Sequence, residues 1–236
     1  MTQPALGVDA FIAARVAVQA RIDAACRRVG RDPGSVTLVA VSKTVEPARL
    51  RDAVAAGLTR LGENRVQEGA AKAPDVPGAT WELVGPLQSN KARRAVELFA
   101  RVQTVDSVEL ATRLDRLVPD ARYPVLVQVN VDLDPAKAGF APSAIDGALA
   151  ELGALPHLDI QGLMTVGRLT RSTAEARSTF AALRALAEDL RGRWPELGPE
   201  LSMGMSDDFE LAIEEGATIV RVGRALFGER APHPAA

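Results

Sequence analysis

Eight short runs rich in aliphatic and β-branched residues recur along this chain, each separated from the next by a stretch of helical spacing, and this alternation restricts the possible folds more than any other feature. The runs span residues 36–41, 58–61, 80–84, 101–105, 125–131, 160–166, 201–205 and 219–222. Helices are expected between them at 46–56, 65–73, 89–100, 107–117, 143–152, 173–191 and 207–215, several opening on a Ser, Thr, Asp or Asn. Strict β-α alternation predicts a parallel sheet, and eight repeats predict closure into a single (β/α)8 TIM barrel of the α/β class, for which 236 residues is an ordinary length. Apolar residues at helical spacing from Val8 to Val29, followed by Gly30, predict an extra N-terminal helix with a glycine cap. An open doubly wound sheet is the competing arrangement, but no G-x-G-x-x-G or Walker A sequence follows any run. Residues 8–230 are expected to form one domain, with 1–7 and 231–236, both rich in Pro and Ala, as frayed ends.

Composition narrows the function. A formal net charge of -2 provides no basic field, so neither nucleic acid nor an anionic membrane surface is an expected partner. Cys26 is the only cysteine; no intrachain disulfide is possible, and the expected compartment is a reducing one, the cytoplasm. Asp9 and Arg15 interrupt the apolar residues near the N-terminus, which therefore has the pattern of neither a signal peptide nor a membrane span. With His157 and His233 as the only histidines, a His/Cys zinc site and a Ser-His-Asp triad are both disfavoured. Of 28 basic residues only Lys43, Lys72, Lys91 and Lys137 are lysines. A guanidinium stays protonated and is no amine nucleophile, so each lysine in such a chain merits attention.

Functional groups of a (β/α)8 barrel sit where strands end. Lys43 closes the first run in the segment VAVSKT, Glu63 and Asn64 follow the second, and the third leads into GPLQSNK, residues 85–91. Asp106 follows the fourth run, Asn130 and Thr165 stand near the ends of the fifth and sixth, the seventh leads to Ser206, and the eighth holds Arg221 and leads into Gly223 and Arg224. An apolar strand ending in lysine partly desolvates the amine and favours its neutral, nucleophilic form, which suits a Schiff base; the plain alternative is a lysine reaching solvent. Phosphate sites in these barrels often use the loops after strands seven and eight with a short helix N-terminus, here Ser206 before helix 207–215 and Gly223 before 225–227. Taken singly, Ser206 also reads as a helix cap and Gly223 as a tight turn. Gln88, Asn90 and Lys91 equally suit the first turn of a helix, Met164 and Met203 suit core filling, and 137–140 reads as a loop able to fold over the mouth.

Together, VAVSKT, GENRVQE, WELVGPLQSNK, VQVNV, AKAGF, GLMTVG, LSMGMSDDFELAIEEGAT and VRVGRALFGER resemble the pyridoxal 5'-phosphate (PLP) homeostasis, or YggS-like, family over almost the whole chain. The resemblance implies a barrel similar to the N-terminal domain of bacterial alanine racemase, with PLP as cofactor held as a Schiff base on Lys43. It further implies Asn64 beside the cofactor, Ser206, Gly223 and the backbone of Arg224 on its phosphate, and Arg221 facing the pyridine nitrogen. Arginine at 224 preserves a backbone contact but offers no hydroxyl. A permanent cation at the ring nitrogen opposes ring protonation and makes the ring a weak electron sink.

Alanine racemase takes its second base, a tyrosine, from a separate C-terminal β domain, and no such domain is expected within these 236 residues, which one barrel would fill. Its one tyrosine, Tyr123, precedes Pro124 at the start of the fifth run, the wrong end of a barrel for catalysis. The expected function is therefore PLP binding for buffering or delivery in PLP homeostasis, by a monomer with little or no catalysis, with PLP-dependent apo-enzymes as expected clients. A PLP-dependent amino-acid racemase is the first alternative and a PLP-free Schiff-base lyase or aldolase the second.

Overall fold

The computed structural model describes residues 7–120, 122–167 and 172–228. Segments 1–6 and 229–236, which include most of the expected frayed ends and the end of the expected domain, lie outside the described residues. Eight parallel strands close into one barrel in sequence order. They are β1 (Thr37–Val41), β2 (Arg60–Glu63), β3 (Thr80–Leu83), β4 (Arg101–Val105), β5 (Tyr123–Gln128), β6 (Leu158–Met164), β7 (Glu200–Ser202) and β8 (Ile219–Val222). The helices are α1 (Val8–Arg28), α2 (Pro47–Ala55), α3 (Val66–Lys72), α4 (Ala92–Leu98), α5 (Val108–Asp115), α6 (Ile145–Leu152), α7 (Thr173–Arg193), α8 (Phe209–Glu214) and α9 (Arg224–Phe227). The expected barrel and its extra N-terminal helix are therefore both present.

Strand alternation divides the apolar residues between two cores. Val39, Val84, Leu126, Met164 and Ile219 fill the lumen, while Leu61, Leu83, Val125, Leu163 and their counterparts pack outward against the helices. The barrel closes where β1 pairs with β8, with Val39 opposite Arg221 and Ala40 opposite Val222. Outside that seam α1 lies across α8, α9 and α2. Phe11 meets Phe227 edge-on at 5.7 Å, and Arg21 is hydrogen-bonded to Glu210 at 2.9 Å while stacking over Phe209.

Several strands differ in their bounds from expectation: the sixth runs over Leu158–Met164 instead of 160–166 and the seventh over Glu200–Ser202 instead of 201–205, and two others differ for a clear local reason. The second was expected at 58–61 but runs over Arg60–Glu63, because Leu58 belongs to the end of α2: Leu58 N–H donates to Ala53 O and Gly57 N–H to Val54 O. This is the Schellman pairing, and it requires the left-handed conformation that Gly57 adopts with φ 90°. The fifth begins two residues early, at Tyr123, and ends at Gln128 instead of Val131. Beyond Gln128 the chain folds back, Asn130 N–H donating to Phe140 O and Phe140 N–H to Gln128 O, so 130–140 forms a stitched loop.

A register irregularity between Val125 and Leu126 lets β6 lie close to β7 at Gly162, φ 149°, where an added Cβ would stand 2.0 Å from Glu200 O. Gly162→Ala is accordingly expected to destabilise the barrel by several kcal/mol, on the order of 3 or more, because the obstruction is backbone and the conformation unsuited to alanine. Thermal unfolding followed by circular dichroism checks this; a melting temperature within about 2 °C of the parent would contradict it.

Candidate functional site

The expected site residues come from four contiguous strands, β7, β8, β1 and β2, at their C-terminal ends. Lys43 lies two residues past β1. Ser42 N–H still donates to Gly62 O at 2.9 Å, so the ladder persists to Ser42, and alternation carries Lys43 onward from the lumen-facing Val39 and Val41. There the chain turns sharply: Val45 N–H donates to Ser42 O, and Thr44 holds φ 64°. A β-branched residue in that conformation is strained, and the turn keeps half-buried Lys43 at the rim.

Beneath that turn lies a buried ionic cluster that no periodicity announced. Lys72, from α3, is only 9% exposed; its Nζ donates to Glu63 Oε1 at 2.6 Å and to Ser42 O at 3.0 Å. Glu63 is fully buried and also accepts from Ser42 Oγ at 2.8 Å and from the backbone N–H of Asn64 at 3.3 Å. The cluster thus fastens together the two strand exits that carry Lys43 and Asn64. The scarcity of lysine in the chain was the one available hint to Lys72, whereas Glu63 was already expected at the exit of the second run and only its partner was not.

Across the seam, Ser206 and Gly223 meet directly, Gly223 N–H donating to Ser206 Oγ at 3.2 Å. The helix expected at 207–215 starts later, at Phe209, with Asp208 as its N-cap and Asp208 Oδ1 accepting from Met205 N–H. Ser206 is therefore not a helix cap, and its hydroxyl bridges the loops after β7 and β8. Gly223 sits where a Cβ would stand 3.3 Å from Val41 O, so the absent side chain lets the β8 exit close onto the end of β1. Arg224 begins α9, and its side chain turns away to pair with Asp207.

Arg221 is 4% exposed and reaches into the barrel, donating from Nη1 to Ser202 Oγ at 2.6 Å and from Nη2 to Thr165 O at 2.7 Å. Both direct acceptors are neutral. Burial pushes the guanidinium down to about 10, an effect opposed by the charge of Asp208, so the group remains a cation at neutral pH. Its burial and its two neutral acceptors show that Arg221 is neither a surface arginine nor directly salt-bridged.

The remaining groups at this end have structural work. Asn130 uses its amide on Asp134 and Lys137 backbone atoms, and Lys137 Nζ donates to Val166 O at 3.1 Å and to Gly167 O, which ties the 130–140 loop across the exits of β5 and β6. Met164 and Met203 are fully buried core residues. Tyr123 stands at the opposite end, its hydroxyl donating to Phe99 O at 2.7 Å, with ionisation opposed by burial and by Glu82. Among the described residues there is no group of His, Cys, Asp and Glu suited to a metal ion, and no helix is long and apolar enough to cross a membrane.

An amine, a buried guanidinium, a hydroxyl beside a side-chain-free backbone and an amide thus lie on neighbouring strand exits, groups of the kind that bind small anions and carbonyl compounds. The chain matches the family "Alanine racemase, N-terminal domain" over residues 15–231. It is 44% identical over 218 residues to the pyridoxal phosphate homeostasis protein of Pseudomonas aeruginosa, covering 90% of this chain and 93% of that one. The protein of the same name in Escherichia coli K12 is 39% identical over 223 residues, covering 90% and 94%. Among solved structures, PipY of Synechococcus elongatus with PLP bound is 44% identical, with a TM-score of 0.78 over 89% of this chain and all of that one.

Proposed function

The chain belongs to the pyridoxal phosphate homeostasis protein family, and on that premise we propose that it binds PLP as a Schiff base on Lys43 and buffers or delivers the cofactor, with little or no catalysis. Ser206, Gly223 and the backbone of Arg224 hold the phosphate, Asn64 lies beside the ring, and Arg221 faces its nitrogen. The observation that carries this reading is the β1–β8 seam: Val39 is paired with Arg221, so the strand ending near the amine adjoins the strand that holds a buried cation, and Ser206 and Gly223 meet at its exit.

Bound PLP supplies an electron-withdrawing ring that can stabilise negative charge on an attached amino acid. Arg221 limits that capacity, since a lasting cation opposes a proton on the ring nitrogen. A racemase also needs a second base opposite the lysine, and Tyr123 is tied to Phe99 at the far end of the barrel. These two features support a carrier, which hands PLP to apo-enzymes as a monomer, over an amino-acid racemase.

The test is the visible spectrum of the purified protein with PLP, before and after borohydride, with peptide mapping and a solvent-deuterium assay on alanine. The expected result is a reducible chromophore, a pyridoxyl mass on the Lys43 peptide, and no deuterium uptake above free PLP. Deuterium incorporation at the α-carbon would establish the racemase. A colourless protein that takes up no PLP, and is trapped by borohydride only with a carbonyl substrate, would establish the aldolase instead.

A further inference from the structure

A line of polar side chains crosses the barrel lumen from the mouth to the opposite end, and every link points the same way. Arg221 Nη1 donates to Ser202 Oγ, Ser202 Oγ donates to Gln103 Oε1, and Gln103 Nε2 donates to Glu82 Oε2, each at 2.6 Å. Ser202, Gln103 and Glu82 are fully buried. At the far end Arg101 engages Glu82 through Nε and Nη2 at 3.0 Å, and Arg60 adds a contact at 2.8 Å.

This order is enforced. Glu82 only accepts, so Gln103 must present its NH2 to it and its oxygen to Ser202. Ser202 must then donate to Gln103, which leaves its lone pairs toward Arg221. Reversing the amide would set its oxygen against a buried carboxylate and abolish both contacts. An apolar lumen would satisfy packing in a barrel of this size, so a buried chain of four polar residues calls for a reason beyond packing.

We propose that Glu82 and Gln103 are positioning residues for the cofactor site: anchored by Arg101 and Arg60, they act through Ser202 along an aligned hydrogen-bond chain to hold Arg221 in place. The inference rests on the PLP reading of the site. Arg221 carries the charge that faces the ring; Asp208 acts on it directly, and the Glu82 carboxylate, itself paired with Arg101 and Arg60, is joined to it by three hydrogen bonds. Other charged groups around this line among the described residues include Asp208 on the α8 side, the Lys72–Glu63 pair under Lys43, Lys137 at the exits of β5 and β6, and Arg101 and Arg60 on Glu82 itself.

Removal of the Glu82 charge therefore makes the mouth more positive and disfavours a proton held at Lys43 Nζ in the PLP-loaded protein. The readout is the pH midpoint of the long-wavelength absorption of bound PLP. Glu82→Gln is expected to lower that midpoint by more than about 0.2 pH unit, the effect of deleting one buried negative charge in a medium of effective dielectric ~20. Gln103→Leu, which interrupts the chain but leaves the charge, is expected to shift it in the same direction by a smaller amount. Ser202→Ala, which deletes one hydroxyl, serves if either variant fails to fold.

A purely structural role would lower the melting temperature and leave the midpoint alone. Folded variants that keep the parental midpoint to within about 0.2 pH unit would overturn the proposal. The parent is measured first: if it takes up no PLP, the functional reading fails, an outcome distinct from a parent that binds PLP and variants that match it.

Discussion

Lys43→Ala is expected to lose all long-wavelength absorption with added PLP and to give no borohydride-stable adduct, while unfolding within a few degrees of the parent. The stability expectation follows from position, since Lys43 is half-buried on a turn beyond β1 and contributes nothing to either apolar core. Chemical specificity follows from what the other lysines are doing. Lys72 is buried against Glu63 and would have to break a 2.6 Å ionic contact before attacking a carbonyl. Lys137 donates to two backbone carbonyls at the exit of β6. Lys91 lies on a short 3-10 turn beyond β3, on the next exit after that of Asn64. Residual affinity for PLP through the phosphate contacts is expected, weakened by about two orders of magnitude or more, about 2.7 kcal/mol. A pyridoxyl group found on another lysine, with parental absorption, would contradict the assignment. Peptide mass mapping and equilibrium dialysis together give the answer.

The second large effect is expected at a residue that does not touch the cofactor. Lys72→Met keeps most of the aliphatic stem but leaves the Glu63 carboxylate buried and without its cation, a situation that typically costs ~3–5 kcal/mol. In a chain of this size that corresponds to a fall in melting temperature of about 10 °C. Affinity for PLP should fall as well, because the ammonium also holds Ser42 O and the carboxylate holds Asn64 N–H. The double variant Lys72→Met/Glu63→Gln should recover much of the stability, since it removes the stranded charge, but not the affinity. A loss below about 1 kcal/mol in urea unfolding of Lys72→Met would show that the pair is solvated and mobile.

The architecture was legible because its signals are local. Strand-length aliphatic runs, Ser107 and Ser172 as N-caps, and Gly30 as a helix terminator each act within a few residues, and the structure bears them out. The rim of the barrel was legible for the same reason, as strand exits are read directly from strand ends. Errors arose where a cap and a strand compete for the same residues, as at Leu58, and where a strand's apolar run continues into a loop, as at 129–131. The lumen was not legible. Glu82, Gln103 and Ser202 lie on three different strands and acquire a common purpose only when the sheet closes. In the sequence, Glu82 is one charged residue inside an apolar run, and Arg101 one more arginine among many. The Lys72–Glu63 pair is hidden in the same way, by a helix that returns its last residue beneath the strand it followed.

Closure of the barrel has a consequence for biosynthesis. Thr37 and Ile219 face each other across the seam, and α1 is buried on α8 and α9, so the first and last parts of the chain must find one another before the site exists. Contacts so distant in sequence form late, since the entropy of closing the intervening chain opposes them until much of the barrel is in place. A nascent or C-terminally shortened chain therefore contains Lys43 and Asn64 but lacks Ser206, Arg221 and Gly223, and has an amine without a cup for the anion. On the proposed site, capture of the cofactor would report that translation has reached the last strand, and a ligand that binds only the closed ring would draw the final docking step toward completion.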